Sequence, residues 1–229
     1  MSLPPVIAID GPSASGKGTI AAAVAQRLGF HYLDSGALYR IVGFVGGERR
    51  ANLDNDSEMT DITLNLKVKF NGDKVFVDAR EVSDQIRGEV AGAAASRVAA
   101  LPGVRRALMS LQHGFRQPPG LVADGRDMGS VVFPDAGLKI YLTATTEERA
   151  LRRHKQLMEK DSGASMAALL QDIRERDFRD SNRATAPLLK CPDAIEIDTT
   201  GIPVAAVVAQ VMDMYQKYQK YQKSSTGKS

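Results

Sequence analysis

Residues 6–19 read Val-Ile-Ala-Ile-Asp and then Gly-Pro-Ser-Ala-Ser-Gly-Lys-Gly-Thr. An apolar run, a glycine-rich turn and an alanine-rich stretch, in that order, constrain the fold more than anything else in the chain. The run 6–10 shows no polar alternation, which predicts a strand buried on both faces, as at the centre of a parallel sheet. The stretch 17–28 predicts a helix that stops at Gly29. The turn between them, made of Gly11, Pro12, Ser13, Ala14, Ser15, Gly16, Lys17, Gly18 and Thr19, is a phosphate-binding loop in its expected context. Its glycines let backbone N–H groups close around phosphate oxygens, and Lys17 adds a point charge at the outer phosphates. The implied ligand class is a nucleoside polyphosphate. The competing reading is a Gly/Ser-rich turn that binds nothing. One position departs from the general pattern. The residue after the lysine is usually a Ser or Thr that binds Mg²⁺, but here it is Gly18, with the hydroxyl one place later at Thr19. Mg²⁺ is then expected to be held mainly by phosphates and water.

The chain around this loop suits a soluble enzyme. Its 229 residues accommodate one domain with an insertion, or two small ones. Hydrophobic residues at 43% and charged residues at 25% allow a buried core. A net charge of +3 is too mild to imply a nucleic-acid partner. Cys191 is the only cysteine, which excludes an intrachain disulfide and fits a reducing compartment. No apolar run is long enough to span a membrane, and the N-terminus lacks the pattern of a signal peptide. The expectation is a cytoplasmic protein with no membrane partner.

Further strands are predicted at 31–33, 120–125, 138–142 and 194–197. Helices are predicted at 37–46, 54–66, 83–100, 104–115, 147–160, 165–183 and from 203 to about 218. Strands alternating with helices imply an α/β fold, a parallel sheet with helices on both faces. Residues 66–70 and 74–78 instead alternate apolar and polar side chains around Asn71-Gly72-Asp73. That pattern is an antiparallel β-hairpin with one wet face, inserted into the α/β frame. From Tyr215 to Lys223 the sequence Tyr-Gln-Lys occurs three times. A period of three does not hold one helix face, so this segment reads as a fraying helix end leading into a disordered terminus.

Three further segments carry chemistry. Asp124-Gly125-Arg126-Asp127 lies at the carboxyl end of a predicted strand, where open α/β sheets bind ligands. There Asp124 can order metal-bound water and Arg126 can grip a phosphate with both arms. The alternative is a turn with a surface ion pair. Ser35 and Arg40 lie at the start of a predicted helix, which makes a second anion site or leaves Arg40 solvated. Finally, Arg176, Arg179, Asp180 and Arg183 stand at i, i+3, i+4 and i+7, on one helix face. Phosphoryl transfer needs positive charge over the migrating group, and such a face closing on the loop supplies it. Against this, Asp172–Arg176, Glu175–Arg179 and Arg176–Asp180 are i,i+4 pairs that suit a solvated, self-paired helix. His31, His113 and His154 show no metal-ligand spacing.

Together, segments 11–19, 34–40, 123–129 with 131–135, and 175–188 resemble the bacterial cytidylate kinase family of nucleoside monophosphate kinases. The likeness runs from about residue 6 to 215. Many kinases share the loop; Asp-Gly-Arg-Asp-Met-Gly and the hairpin are more specific. The resemblance implies a P-loop kinase three-layer fold with a five-stranded parallel sheet, built from 1–61, 91–154 and 187–222. It also implies a small antiparallel β insert for the monophosphate at 62–90 and a short helical lid at 155–186, with 223–229 as a disordered tail. The implied substrates are ATP and CMP or dCMP, with Mg²⁺ accompanying ATP, and the implied state is a monomer. By position, Ser35, Arg40, Arg126 and Arg183 bind the monophosphate, while Ser96, Arg105 and Asp127 read the base. Lys17, Arg176 and Arg179 act on the transferring phosphate, and Asp180 orders the lid. No side chain is expected to bind the metal directly, Asp124 reaching it only through water. Cytosine has an amino donor where uracil has a carbonyl, so a carboxylate at Asp127 favours the former. Alternatives are a UMP or AMP kinase, a GTP-binding switch (for which the Asn-Lys-x-Asp signature is absent) and a nucleotide-binding module without catalysis.

Overall fold

The computed structural model describes residues 3–71, 74–158 and 165–226. Along the chain run β1 (Val6–Asp10), α1 (Lys17–Leu28), β2 (His31–Asp34), α2 (Ser35–Glu48), α3 (Asp56–Leu64), β3 (Val68–Asn71), β4 (Lys74–Val77) and β5 (Arg80–Glu81). They are followed by α4 (Glu89–Val98), α5 (Pro102–Gly114), β6 (Leu121–Gly125), β7 (Leu138–Thr143), α6 (Thr146–Met158), α7 (Met166–Asn182), β8 (Ile195–Asp198) and α8 (Val204–Thr226). These elements form two compact units, one comprising Met1–Leu33, Phe115–Asn182 and Ala186–Ser229, the other Asp34–Gly114 and Arg183–Thr185.

The first unit carries a five-stranded parallel sheet in the order β2-β6-β1-β7-β8. β1 is central, pairing Val6 with Leu121 on one side and Ile7 with Leu138 on the other. All five of its residues are buried, as its unbroken apolar run requires. Alternation along the strand sends Ile7 and Ile9 into a core with Ile140 and Leu142 of β7, Ile20 and Val24 of α1, and Val207 and Val211 of α8. Asp10 therefore faces the opposite side of the sheet. α1 stops at Gly29, whose φ of 66° is the left-handed conformation that closes a helix end. The chain order reverses around β1, so the carboxyl ends of β1 and β6 open on the place where such sheets bind ligands.

The second unit packs α2–α5 beside an antiparallel sheet in the order β3-β4-β5. Asp34 starts α2 by accepting the Ala37 N–H at 2.9 Å. Asp56 of α3 accepts the Gly103 N–H at 2.8 Å, just after Pro102 opens α5. The expected hairpin is present, with Asn71 paired to Lys74; Gly72 and Asp73 of its turn lie outside the described residues.

Several sequence-based boundaries need correction. The helix expected at 83–100 is a 3-10 turn at Gln85–Arg87 followed by α4, because Gly88 adopts an extended conformation (ψ 171°) and breaks the helix. A third strand, β5, was not anticipated. It follows a two-residue turn at Asp78 and Ala79, both at positive φ, a geometry that sequence readings assign to Asn-Gly rather than Asp-Ala. α8 does not stop near Tyr218 but continues to Thr226. Gln and Lys are good helix formers, and Tyr215 anchors the segment edge-on against Phe30, at 5.8 Å, and stacks with Tyr218. Residues 227–229 lie outside the described residues.

Candidate active site

The loop between β1 and α1 is held in shape from behind. Gly16 has φ 87° and Ala14 φ 56°, and Gly11 approaches β7 so closely that a Cβ there would lie 2.1 Å from the Leu142 carbonyl oxygen. Two arginines one helical turn apart on α6 clasp its carbonyls. Arg149 donates to Ser13 O at 3.2 Å and, through both arms, to the Asp177 carboxylate of α7 at 2.5 and 3.0 Å. Arg152 donates to Ser15 O at 3.2 Å and to the Thr199 oxygens at 2.6 and 2.9 Å. Thr199 itself hydrogen-bonds Ser15 O at 3.1 Å. With these carbonyls turned outward and held, the loop is left to present donors on its other side. Lys17 Nζ lies 3.0 Å from Pro12 O, folded over the loop. The hydroxyls of Ser13 and Ser15 are buried and have no hydrogen-bond partner. Unsatisfied buried hydroxyls are rare, and a loop built for phosphate oxygens accounts for them.

At the end of β6, Asp124 accepts the Tyr32 hydroxyl at 2.7 Å. A side chain at Gly18 would meet Tyr32 Oη at 3.5 Å and Asp124 Oδ2 at 3.9 Å. The carboxylate thus stands where a hydroxyl after the lysine would project in the commoner loop. Arg126 is partly buried and donates to the buried Asp180 of α7 at 2.7 Å. Burial opposes its charge, yet the Asp180 carboxylate together with those of Asp124 and Asp177 pushes the guanidinium above its ordinary value. Asp127 is also buried. A π-helical turn, Met128–Val132, follows it; Asp10 accepts the Met128 and Gly129 N–H groups, both at 2.8 Å. Burial lifts the Asp10 carboxyl to about 6, against the lowering effect of those two bonds.

The first unit therefore contains loop residues 11–19, Asp124, Arg126, Asp127, Arg176, Arg179 and Asp180. The expected one-sided arginine face is only partly formed. α7 ends at Asn182, so Arg183 lies beyond the helix and groups with the second unit. Of the i,i+4 pairs, Glu175–Arg179 closes loosely at 3.9 Å, whereas Asp180 turns inward to Arg126. In the second unit Ser35, Ser96 and Arg105 are buried. There Arg40 donates to Ile86 O at 3.1 Å, and Arg105 donates to Ala99 O at 3.2 Å with its guanidinium over the Tyr39 ring. Sequence reasoning missed Asp10, Tyr32, Arg149, Arg152, Asp177 and Thr199. Asp10 read as a strand end, and 147–160 as an ordinary charged helix; only the i, i+3 spacing of Arg149 and Arg152 hinted at a shared target. Burial raises the Cys191 thiol above its ordinary value, consistent with no nucleophilic role. Among the described residues no helix is long and apolar enough to cross a membrane.

A central parallel sheet and a braced glycine-rich loop opening a helix define a P-loop kinase, a transferase. The same fold occurs in a gluconokinase from Sinorhizobium meliloti, with a TM-score of 0.50 and 14% identity over 98% of this chain and 99% of that one. The chain belongs to the cytidylate kinase family, whose model matches residues 7–217. It is 55% identical to the cytidylate kinase of Nitrosomonas europaea over 91% of this chain and 94% of that one. Identity is 52% to that of Polynucleobacter asymbioticus (93% and 97% covered) and 50% to that of Azotobacter vinelandii (91% and 94% covered).

Proposed function

We propose that this chain transfers the γ-phosphate of ATP to CMP or dCMP, giving ADP and CDP or dCDP. The observation that carries the base preference is the buried Asp127 carboxylate at the end of β6, following Arg126 in sequence. A carboxylate accepts from the cytosine amino group and repels the uracil carbonyl, and a polar site left unpaired by the wrong base discriminates strongly. In this reading the loop N–H groups, the Ser13 and Ser15 hydroxyls and Lys17 hold the ATP phosphates. Arg176 and Arg179 spread positive charge over the migrating phosphoryl group, and Asp180 fixes Arg126 for the acceptor phosphate. Ser35, Arg40 and Arg183 are assigned to that same phosphate, and Ser96 and Arg105 to the base. An oxygen of the acceptor phosphate attacks the γ-phosphorus in line as the bond to ADP breaks. That oxygen is already anionic, so no general base is needed.

The residues suit Mg²⁺ in a supporting role. Gly18 offers no ligand, Asp124 stands beside it, and no cluster of three His, Cys, Asp or Glu side chains able to hold a metal occurs among the described residues. Asp124 would hold the ion through water, and the ion supplies charge neutralisation on the ATP phosphates. A monomer acting on cytoplasmic nucleotides belongs to the same reading. The test is ADP formation from ATP and Mg²⁺ with CMP, dCMP, UMP and AMP in turn. Turnover is expected to be fastest with CMP or dCMP, and its absence with both would overturn the reading.

A further inference from the structure

We infer that Asp10 is a positioning residue for the acceptor base: its carboxylate clamps the turn at residues 128–132 and so sets Asp127 in place. The inference rests on Asp127 reading the base. Asp10 directly precedes the phosphate loop, yet it does not serve the loop in the way its position suggests. Strand alternation sends Ile7 and Ile9 to the α1 and α8 side and Asp10 to the other. On that side its two oxygens each take one backbone N–H, from Met128 and Gly129, at 2.8 Å.

Those N–H groups open a helical turn, and such groups are ordinarily satisfied by the side chain of the residue just before the turn. That residue is Asp127, and its side chain makes no capping bond; its backbone (φ −150°, ψ 24°) is not that of an ordinary N-cap. A carboxylate from a different strand does the capping, so the Asp127 carboxylate is not used on its own turn. The joint is tight. A Cβ at Gly129 would sit 3.1 Å from Lys139 Cδ and 3.5 Å from Asp10 Oδ2. The two carboxylates also sense one another, the Asp127 charge adding to burial in raising the Asp10 carboxyl. A change at Asp10 therefore acts on the residue that faces the base, through two hydrogen bonds and one peptide unit.

Asp10→Asn keeps the shape and one acceptor, but sets an amide NH₂ against the second N–H. Steady-state ADP formation then gives KM for CMP, KM for ATP and the ratio of kcat/KM for CMP over UMP. KM does not depend on the fraction of enzyme that is folded. Leaving one buried donor unsatisfied should raise KM for CMP between about fivefold and 100-fold and narrow the CMP/UMP ratio, while KM for ATP stays within about twofold. Equal rises in both KM values would show that Asp10 serves the loop and would overturn the inference, as would an unchanged KM for CMP. Should Asp10→Asn fail to fold, Asp10→Ser, which keeps one small acceptor at the site, should give the same split between the two KM values. Asp127→Ala separates the two levels. If it leaves the CMP/UMP ratio intact, the base-reading assignment itself falls, and this inference with it. If it abolishes the ratio, adding Asp10→Asn should change the ratio no further; an additive effect would mean that Asp10 acts independently of Asp127.

Discussion

Asp10 also makes a thermodynamic prediction. Burial carries its carboxyl from the ordinary 3.8 to about 6, in spite of two backbone hydrogen bonds that favour the charged form. Between those values the folded protein binds a proton that the unfolded chain has released. Stability therefore falls as pH rises, and the contribution is fully present below 3.8 and lost above about 6. A shift of about two units at about 1.4 kcal/mol each amounts to about 3 kcal/mol. Asp10→Asn removes the titration, while the cost of its altered hydrogen bonds is the same at every pH. The signal is therefore the change in the gap between wild type and variant. For a chain of this size, 1 kcal/mol moves Tm by about 2–4 °C, so the wild type should lose about 6–12 °C relative to the variant as pH rises from about 4 to about 7. Differential scanning calorimetry of both proteins across that range measures it. Parallel Tm curves would refute the reasoning, and a gap that moves in favour of the wild type would show that the two N–H groups outweigh burial.

Two further predictions concern the phosphate loop. Lys17→Ala should lower kcat by orders of magnitude in the ADP assay, because Lys17, whose Nζ donates to the loop's own Pro12 carbonyl, carries the outer-phosphate charge. Arg149→Ala leaves the Asp177 carboxylate and the Ser13 and Ala144 carbonyls without a donor they now share. Arg149 is buried but the Asp177 side chain is 28% exposed, so the loss should cost about 1–3 kcal/mol, and it should raise KM for ATP more than KM for CMP. Arg149→Lys should recover only part of this, because a single ammonium nitrogen cannot grip both Asp177 oxygens while also reaching the Ser13 and Ala144 carbonyls as the planar fork does; thermal unfolding and the two KM values check both.

What could be read in the sequence was what neighbours along the chain determine. The strand Val6–Asp10, the loop and the Gly29 stop are set by apolar runs and glycine placement over a few residues. So is the Asp34 cap. The turn at 128–132 could not be read, because Met-Gly-Ser-Val-Val has no helical signal and the turn forms on a carboxylate 118 residues away. The same holds for Asp180, whose spacing to Arg176 and Arg179 suggested a shared helix face. Its partner, Arg126, is 54 residues distant, and a buried charge such as Asp180 takes the partner it can reach. The Asp78-Ala79 turn lacked glycine, and the β5 strand it introduces was too short to show alternation. At Gly88 the chain takes an extended conformation (φ −77°, ψ 171°) between two stretches that read as one helix, and this separates them.

The hydrogen bonds behind the phosphate loop bear on how the chain folds. The motif is contiguous in sequence, but its carbonyls are held by residues 136, 137 and 184 positions further on. Contacts of that separation form only after long stretches of chain have been ordered, and they slow folding. On the ribosome the loop emerges well before its supports. A growing chain that stops short of Thr199 carries the complete motif but lacks one of the groups that hold it. The loop's full support is thus completed with the closure of β8 onto the sheet rather than with the synthesis of the loop.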